Sequence, residues 1–301
     1  MMTSSKQAIL ITAYKNYEQL EVLINQFDSG FEIFIHIDKK SALSDKQRNH
    51  LIGLNNVALV AQKYTVNWGG FNHVKCILYL CQMAIKNPET SHFHLISGAD
   101  FPIKSTKDFR MFFQDNKTAF IDCFAIPFSG WSKENGGLDR LEYYSPYDSL
   151  NSRKIWQKKL LKKVIHWQKK YNIKRSWPAQ MPKLYAGSTW WSLERDCVAH
   201  IINFVAANWY FSKRFENTFC AEEFFFQTIL MNSEFKKRIQ SNNLRFIDWN
   251  YKNGSNPSIL DETDFKNIIS SEAFFARKVA SPFSDTLVSK LIKRTSGITK
   301  V

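Results

Sequence analysis

Short apolar runs alternate with stretches of helical spacing along the N-terminal part of this chain, and few folds accept that pattern. Gln7 to Ala13 is an apolar run of buried-strand type. Tyr17 to Phe27 then places Leu20, Leu23, Ile24 and Phe27 at helical intervals. Phe31 to Asp38 and Val57 to Val60 read as strands, Val74 to Ile85 as a helix, and Phe93 to Ser97 and Phe120 to Phe124 as further strands. The alternation predicts an α/β fold with a mostly parallel central sheet flanked by helices. Ligands of such sheets lie beyond the carboxyl ends of the strands. That rule selects Thr12-Ala13-Tyr14, His36 to Ser41 and Ser97-Gly98-Ala99-Asp100. The chain has no GxGxxG and no GxxxxGK[ST], so neither phosphate cradle is supported.

A chain of 301 residues could hold one large domain or two small ones. No repeat or Pro/Gly linker divides it, so we expect one domain over 1–301 with a basic helical insertion around 151–176. Its 44% hydrophobic and 15% aromatic content is ample for a packed core. No stretch approaches the roughly 20 apolar residues that span a bilayer, and Met1 to Lys6 lacks the features of a secretory leader. The expected location is cytoplasmic. Five cysteines, with no close CxxC pair, argue for free thiols rather than disulfides or a zinc site.

The net charge of +14 implies an anionic partner: nucleic acid, a phospholipid surface or a phosphate-bearing substrate. From Ser149 to Leu193 there is no acidic residue, while Arg153, Lys154, Lys158, Lys159, Lys162, Lys163, Lys169, Lys170, Lys174 and Arg175 crowd together. Trp156, Leu160, Val164, Trp167 and Tyr171 recur there at steps of three and four, the mark of a basic amphipathic helix. Two readings stay open. The stripe faces the core of an ordinary surface helix, or the helix attaches to an anionic membrane.

Glu222 and Glu223 sit inside the run Phe219-Cys220-Ala221-Glu222-Glu223-Phe224-Phe225-Phe226. Carboxylates are seldom buried without a partner or a purpose. A partly desolvated carboxylate has a raised pKa and is a better proton acceptor. The plainer alternative is that the pair opens a helix, where negative charge suits the dipole.

Five blocks occur in a fixed order: Trp68-Gly69-Gly70-Phe71, Ser97 to Ser105 around Asp100-Phe101-Pro102, Gly187 to Leu193 with Trp190-Trp191, the acidic pair, and Phe274-Phe275-Ala276-Arg277-Lys278. Together they resemble the core-2/I-branching N-acetylglucosaminyltransferase and peptide O-xylosyltransferase family, from about Ile9 to Val279. The C-terminal blocks Asn242 to Arg245, Asp248-Trp249, Asn256-Pro257 and Asp264-Phe265 are similar to the xylosyltransferase branch. The resemblance implies a GT-A type fold and inverting transfer from a UDP-sugar, with no metal and no cofactor. It implies Glu223 as catalytic base and Arg277-Lys278 as the diphosphate site. His36 to Lys39 would lie at the nucleotide, with Asp38 contacting uracil and Ile11 beside it. Asp100, Trp190, Trp191, Trp68 and Glu222 fall to the sugar and acceptor. The mammalian branching enzymes carry a further arginine upstream of the final lysine; the matching position here is near Ser255.

The residue chemistry runs the same way. Sugar transfer develops negative charge on the departing diphosphate, which something cationic must meet. The chain has no Asp-x-Asp to hold a metal, whereas Arg277 can fork onto phosphate oxygens and Lys278 can act as a point charge. One base must take the acceptor proton, a role worth about 100- to 10,000-fold, and Glu223 fits it. Trp190 and Trp191 suit stacking on a sugar face. The expected function is transfer of a GlcNAc- or xylose-like sugar to a hydroxyl of a glycan or lipid-linked acceptor in bacterial surface polysaccharide synthesis. Peripheral contact with the anionic inner membrane is expected, and no nucleic-acid partner. The alternatives are a basic nucleic-acid-binding protein and a glycoside hydrolase pairing Asp100 with Glu223.

Overall fold

The computed structural model describes residues 5–131 and 135–296; Met1 to Ser4, part of the N-terminal stretch read for a leader, lie outside them. The strands in chain order are β1 (Lys6–Ala13), β2 (Phe31–Ile37), β3 (Val57–Ala61), β4 (Thr90–Ser97), β5 (Asp100–Pro102), β6 (Ala119–Ile121), β7 (Phe124–Ala125), β8 (Tyr185–Ala186), β9 (Trp191–Glu194), β10 (Ile239–Gln240), β11 (Arg245–Ile247) and β12 (Phe275–Arg277). Seven of them form the central sheet, in the order β10-β6-β9-β4-β1-β2-β3. Neighbours pair in parallel except at β9, which runs antiparallel to both β4 and β6. The sheet is therefore mostly parallel, as the alternation requires. Its faces are covered by two separate apolar layers: Ala8 and Leu10 of β1 enter one, Ile9 and Ile11 the other. A strand covered on both faces reads as an unbroken apolar run.

A second sheet, β11-β12-β5, is what assembles the site. In its antiparallel β12–β5 pair Arg277 lies opposite Asp100, so two blocks far apart in the chain become neighbours. Arg245 ties this sheet to the central one. Its buried guanidinium donates to the carbonyls of Leu95 and Trp191 at 2.8 and 2.9 Å and to Ser192 Oγ at 2.9 Å. Burial pushes its pKa down to about 9.

The basic helix spans Ile155–Lys170. Its stripe does not face the core: Trp156 is 64% and Trp167 60% exposed, and Leu160 and Tyr171 are also exposed. A core-facing stripe is thus corrected. Leu161 and Gln168 are the residues buried instead. Gln168 accepts from the Tyr144 amide at 2.7 Å and donates to the Tyr144 carbonyl at 2.9 Å. This polar clamp, with Leu161, sets which way the helix is turned. The five cysteines are free thiols, all buried except the half-buried Cys123.

Candidate active site

Glu222 and Glu223 belong to a single 3-10 turn, Ala221–Glu223, that precedes the helix Phe225–Met231. Phe224, Phe225 and Phe226 are fully buried and fix the turn from behind. Two glycines allow the other segments to close on it. Gly69 has φ +83°, and a Cβ there would meet the Phe219 ring at 2.6 Å; its carbonyl accepts from the Cys220 amide at 3.0 Å. A Cβ on Gly187 would stand 1.8 Å from the Asp122 carbonyl, and the Gly187 amide donates to the Glu223 carbonyl at 2.8 Å. Only glycine fits such an approach.

Glu223 Oε2 accepts from Arg140 Nη1 at 2.5 Å, and the Arg140 guanidinium lies 4.1 Å from the centre of the Trp131 ring. Burial, then the adjacent Glu222, raise the Glu223 pKa to about 7, with Arg140 and His73 acting in the opposite sense. A carboxylate poised there is half-ionised near neutrality, the condition that suits a general base. Glu222 Oε1 meets His73 Nδ1 at 3.3 Å, while its Oε2 is buried without a hydrogen-bond partner.

The line of contacts continues from His73. The His73 ring lies 6.5 Å from the Trp190 ring, and the Arg277 guanidinium stacks 4.1 Å from the Trp190 ring on β12's side. Arg277 Nε stands 3.6 Å from Asp100 Oδ1, an oxygen with no hydrogen-bond partner. The other Asp100 oxygen accepts from the Ser97 amide at 2.7 Å and from the Ser97 hydroxyl. Lys278 Nζ donates to Ser255 Oγ at 3.1 Å, so the position matched to the family's further arginine is in contact with Lys278. Burial, then Arg277, Arg153 and Lys15, lower the Lys278 pKa. Glu223, Glu222, Trp190, Asp100, Arg277 and Lys278 are therefore linked through successive contacts, from an acidic end to a cationic one.

Trp68 lies beside the acidic end. Its exposed ring packs edge-on against Phe219 at 5.1 Å and Tyr147 at 6.3 Å. With Tyr147, Ser152, Leu161 and two lysines of the basic helix, Lys158 and Lys162, it lines a cleft.

Four expected site residues are placed otherwise. Trp191 is fully buried and packs on Phe226, so it cannot stack on a sugar. The Ile11 side chain is fully buried in the apolar layer on one face of β1. His36 is buried and accepts through Nε2 from the amides of Lys63 and Tyr64 at 3.2 and 3.0 Å. Its pKa falls to about 4, chiefly through burial, so it is neutral. Asp38 uses its oxygens on the Lys40 and Val66 amides, at 3.0 and 3.1 Å, and on Lys40 Nζ at 2.9 Å. His36 and Asp38 shape the loop wall. The residues not foreseen are Arg140 and His73. His73 stands two residues after the Trp68-Gly69-Gly70-Phe71 block, which was a usable signal; Arg140 carries none. Among the described residues no group of three or more His, Cys, Asp or Glu could hold a metal ion.

The Core-2/I-Branching enzyme family model matches residues 8–269, and the chain belongs to that family. It is 24% identical over 283 residues to beta-glucuronosyltransferase GlcAT14B of Arabidopsis thaliana, covering 88% of this chain and 60% of the relative. It is 25% identical over 283 residues to human xylosyltransferase 2, covering 86% of this chain and 30% of the relative. The chain thus spans between 30% and 60% of the length of the curated relatives it matches. Among solved structures, a Staphylococcus aureus TarS fragment (1–349) overlaps 95% of this chain and 65% of its own, with TM-score 0.38 and 14% identity.

Proposed function

We propose that this chain is an inverting, metal-independent glycosyltransferase that moves a sugar from a UDP-sugar to a hydroxyl of a glycan or lipid-linked acceptor. The observation that carries the reading is the line from Glu223 and Glu222 through His73 and Trp190 to Arg277 and Asp100. A proton acceptor stands at one end and phosphate-binding cations at the other. The acceptor hydroxyl gives its proton to Glu223 as its oxygen attacks the anomeric carbon. The bond from that carbon to the β-phosphate oxygen breaks, and its electron pair leaves with UDP. Arg277 and Lys278 meet the charge that develops there. The unpartnered Asp100 Oδ1 and Glu222 Oε2 are costly to bury empty and suit sugar hydroxyls.

Two features support the metal-independent form: the sequence has no Asp-x-Asp, and its cations come to the diphosphate end directly. The Trp68 cleft supports an extended acceptor beside the base. The outward stripe of Trp156, Leu160, Trp167 and Tyr171, flanked by lysines, supports peripheral docking on an anionic bilayer. Among the described residues no helix is long and apolar enough to cross a membrane. A role in bacterial surface polysaccharide synthesis follows from such an acceptor. The donor is a GlcNAc- or xylose-like sugar, and the names of the plant relatives add glucuronate to the screen.

The test is transfer in EDTA from a panel of UDP-sugars, with the product anomer read by NMR. Inverted product that disappears in Glu223→Gln is expected. Retained configuration, or activity abolished by EDTA and restored by a divalent cation, would contradict the reading.

A further inference from the structure

Arg277 has a carboxylate neighbour in Asp100, which leaves part of its charge already compensated. Lys278 is half-buried and has no ion pair among the described residues. A departing nucleoside diphosphate carries more negative charge than this pair answers alone. Other cations close to the same spot therefore merit scrutiny.

Two stand at the carboxyl end of β1. Beyond Ala13 the chain makes a tight turn at Asn16, whose φ of 56° is left-handed, a conformation Asn tolerates. The turn exposes Tyr14 and Lys15 at the edge where ligands of parallel sheets bind. The Tyr14 carbonyl accepts from Ser41 Oγ at 2.7 Å, which ties it to the loop after β2. Gln19, one turn on, donates to the carbonyls of Gly98 and Val279 at 2.8 and 2.9 Å. That joins the turn to the residue directly after Lys278. Arg153 reaches the same ring from the segment leading into the basic helix. Its guanidinium lies 4.8 Å from the centre of the Tyr14 ring, with Lys15 Nζ 5.4 Å from it. Arg153 is held by its own amide, which donates to Asn151 Oδ1 at 3.0 Å. Neither Lys15 nor Arg153 has an ion pair among the described residues, and each acts on Lys278 as a like charge.

We propose that Lys15 and Arg153, gathered on Tyr14, form a second cationic arm of the donor diphosphate site, facing Arg277 and Lys278. Lys278 feels Arg277, Arg153 and Lys15 as like charges, so in the absence of an anion cations from three chain segments act unfavourably on it. A diphosphate between the arms turns that repulsion into attraction. Arg153 offers a planar fork to two phosphate oxygens, and Lys15 a mobile point charge. The basic segment before the helix thereby acquires a task at the reacting end, separate from the exposed stripe. This inference rests on the UDP-sugar reading.

Calorimetry in EDTA with uridine, UMP and UDP tests it, on wild type, Lys15→Ala, Arg153→Ala, the double variant and Arg153→Lys. Both side chains are exposed, so folding is not at stake. Each alanine variant is expected to weaken UDP about tenfold or more, UMP less, and uridine not at all, with partial recovery in Arg153→Lys. Wild-type binding of UDP that the double variant leaves within about twofold would overturn the second arm alone. Failure of wild type to bind UDP would overturn the arm together with the reading beneath it.

Discussion

Glu223→Gln tests the poised base without knowledge of either substrate. The Glu223 carboxyl is raised from an ordinary 4.5 to about 7, first by burial and then by Glu222, with Arg140 already counted against the rise. A folded-state pKa above the unfolded one means that the native protein binds more protons between those values. Stability therefore falls as pH rises from about 4.5 through about 7. A displacement of that size corresponds to about 3 kcal/mol by pH 8, and under about 1 kcal/mol at pH 5. Glutamine keeps the shape and removes the ionisation. At pH 8 the variant should outlast wild type by about 3 kcal/mol, or about 5 °C in Tm for a chain of this length. At pH 5 the gap should nearly close. Thermal unfolding of both proteins at the two pH values reads this directly, and titrating groups not coupled to Glu223 cancel in the difference. A variant no more stable than wild type at pH 8, or a gap that is the same at pH 5, would refute the argument. Transfer by the same variant should fall about 100- to 10,000-fold.

Other expectations follow from neighbouring contacts. Arg140→Ala removes the cation that holds the Glu223 pKa down, so the acidic limb of the kcat/KM profile should move to higher pH, while Arg140→Lys should move it less. Trp191→Ala should cost about 3–5 kcal/mol of stability in denaturant unfolding, as a fully buried aromatic does, whereas Trp190→Ala, also at a buried ring, should in addition weaken donor binding through its contact with Arg277. Replacing the exposed Trp156 and Trp167 by alanine should release the protein from anionic vesicles in a sedimentation assay and leave its melting curve unchanged. Equal retention by the variant would place any membrane contact elsewhere.

How much of this was legible beforehand depends on the kind of information. β1, β2 and β4 were plain because strands covered on both faces write unbroken apolar runs. The sheet β11-β12-β5 was not, because its strands are three residues long and its decisive pairing joins Asp100 to Arg277 across most of the chain. The tryptophan pair shows what a period of two withholds until the strand is known. Trp190 precedes β9 and, though buried, lies under the Arg277 guanidinium, whereas Trp191 inside the strand is fully buried against Phe226. On the basic helix the three-and-four spacing revealed a stripe but not its direction, which Gln168 and Leu161 decide. Asp38 and His36 were chosen for their place at the strand end, and the sequence did not show the backbone amides that hold them there. Arg140 was invisible because its meaning lies in a contact with Glu223 and Trp131, not in any local pattern.

The central claim is a UDP-sugar site that works with protein cations in place of a metal. Calorimetric titration of UDP into the protein in EDTA, with Arg277→Ala and Lys278→Ala alongside, tests it most directly. Wild type should bind UDP in a way that neither EDTA nor added magnesium changes, and that both substitutions abolish. Binding that appears only with a divalent cation, or that survives the loss of both side chains, would contradict it.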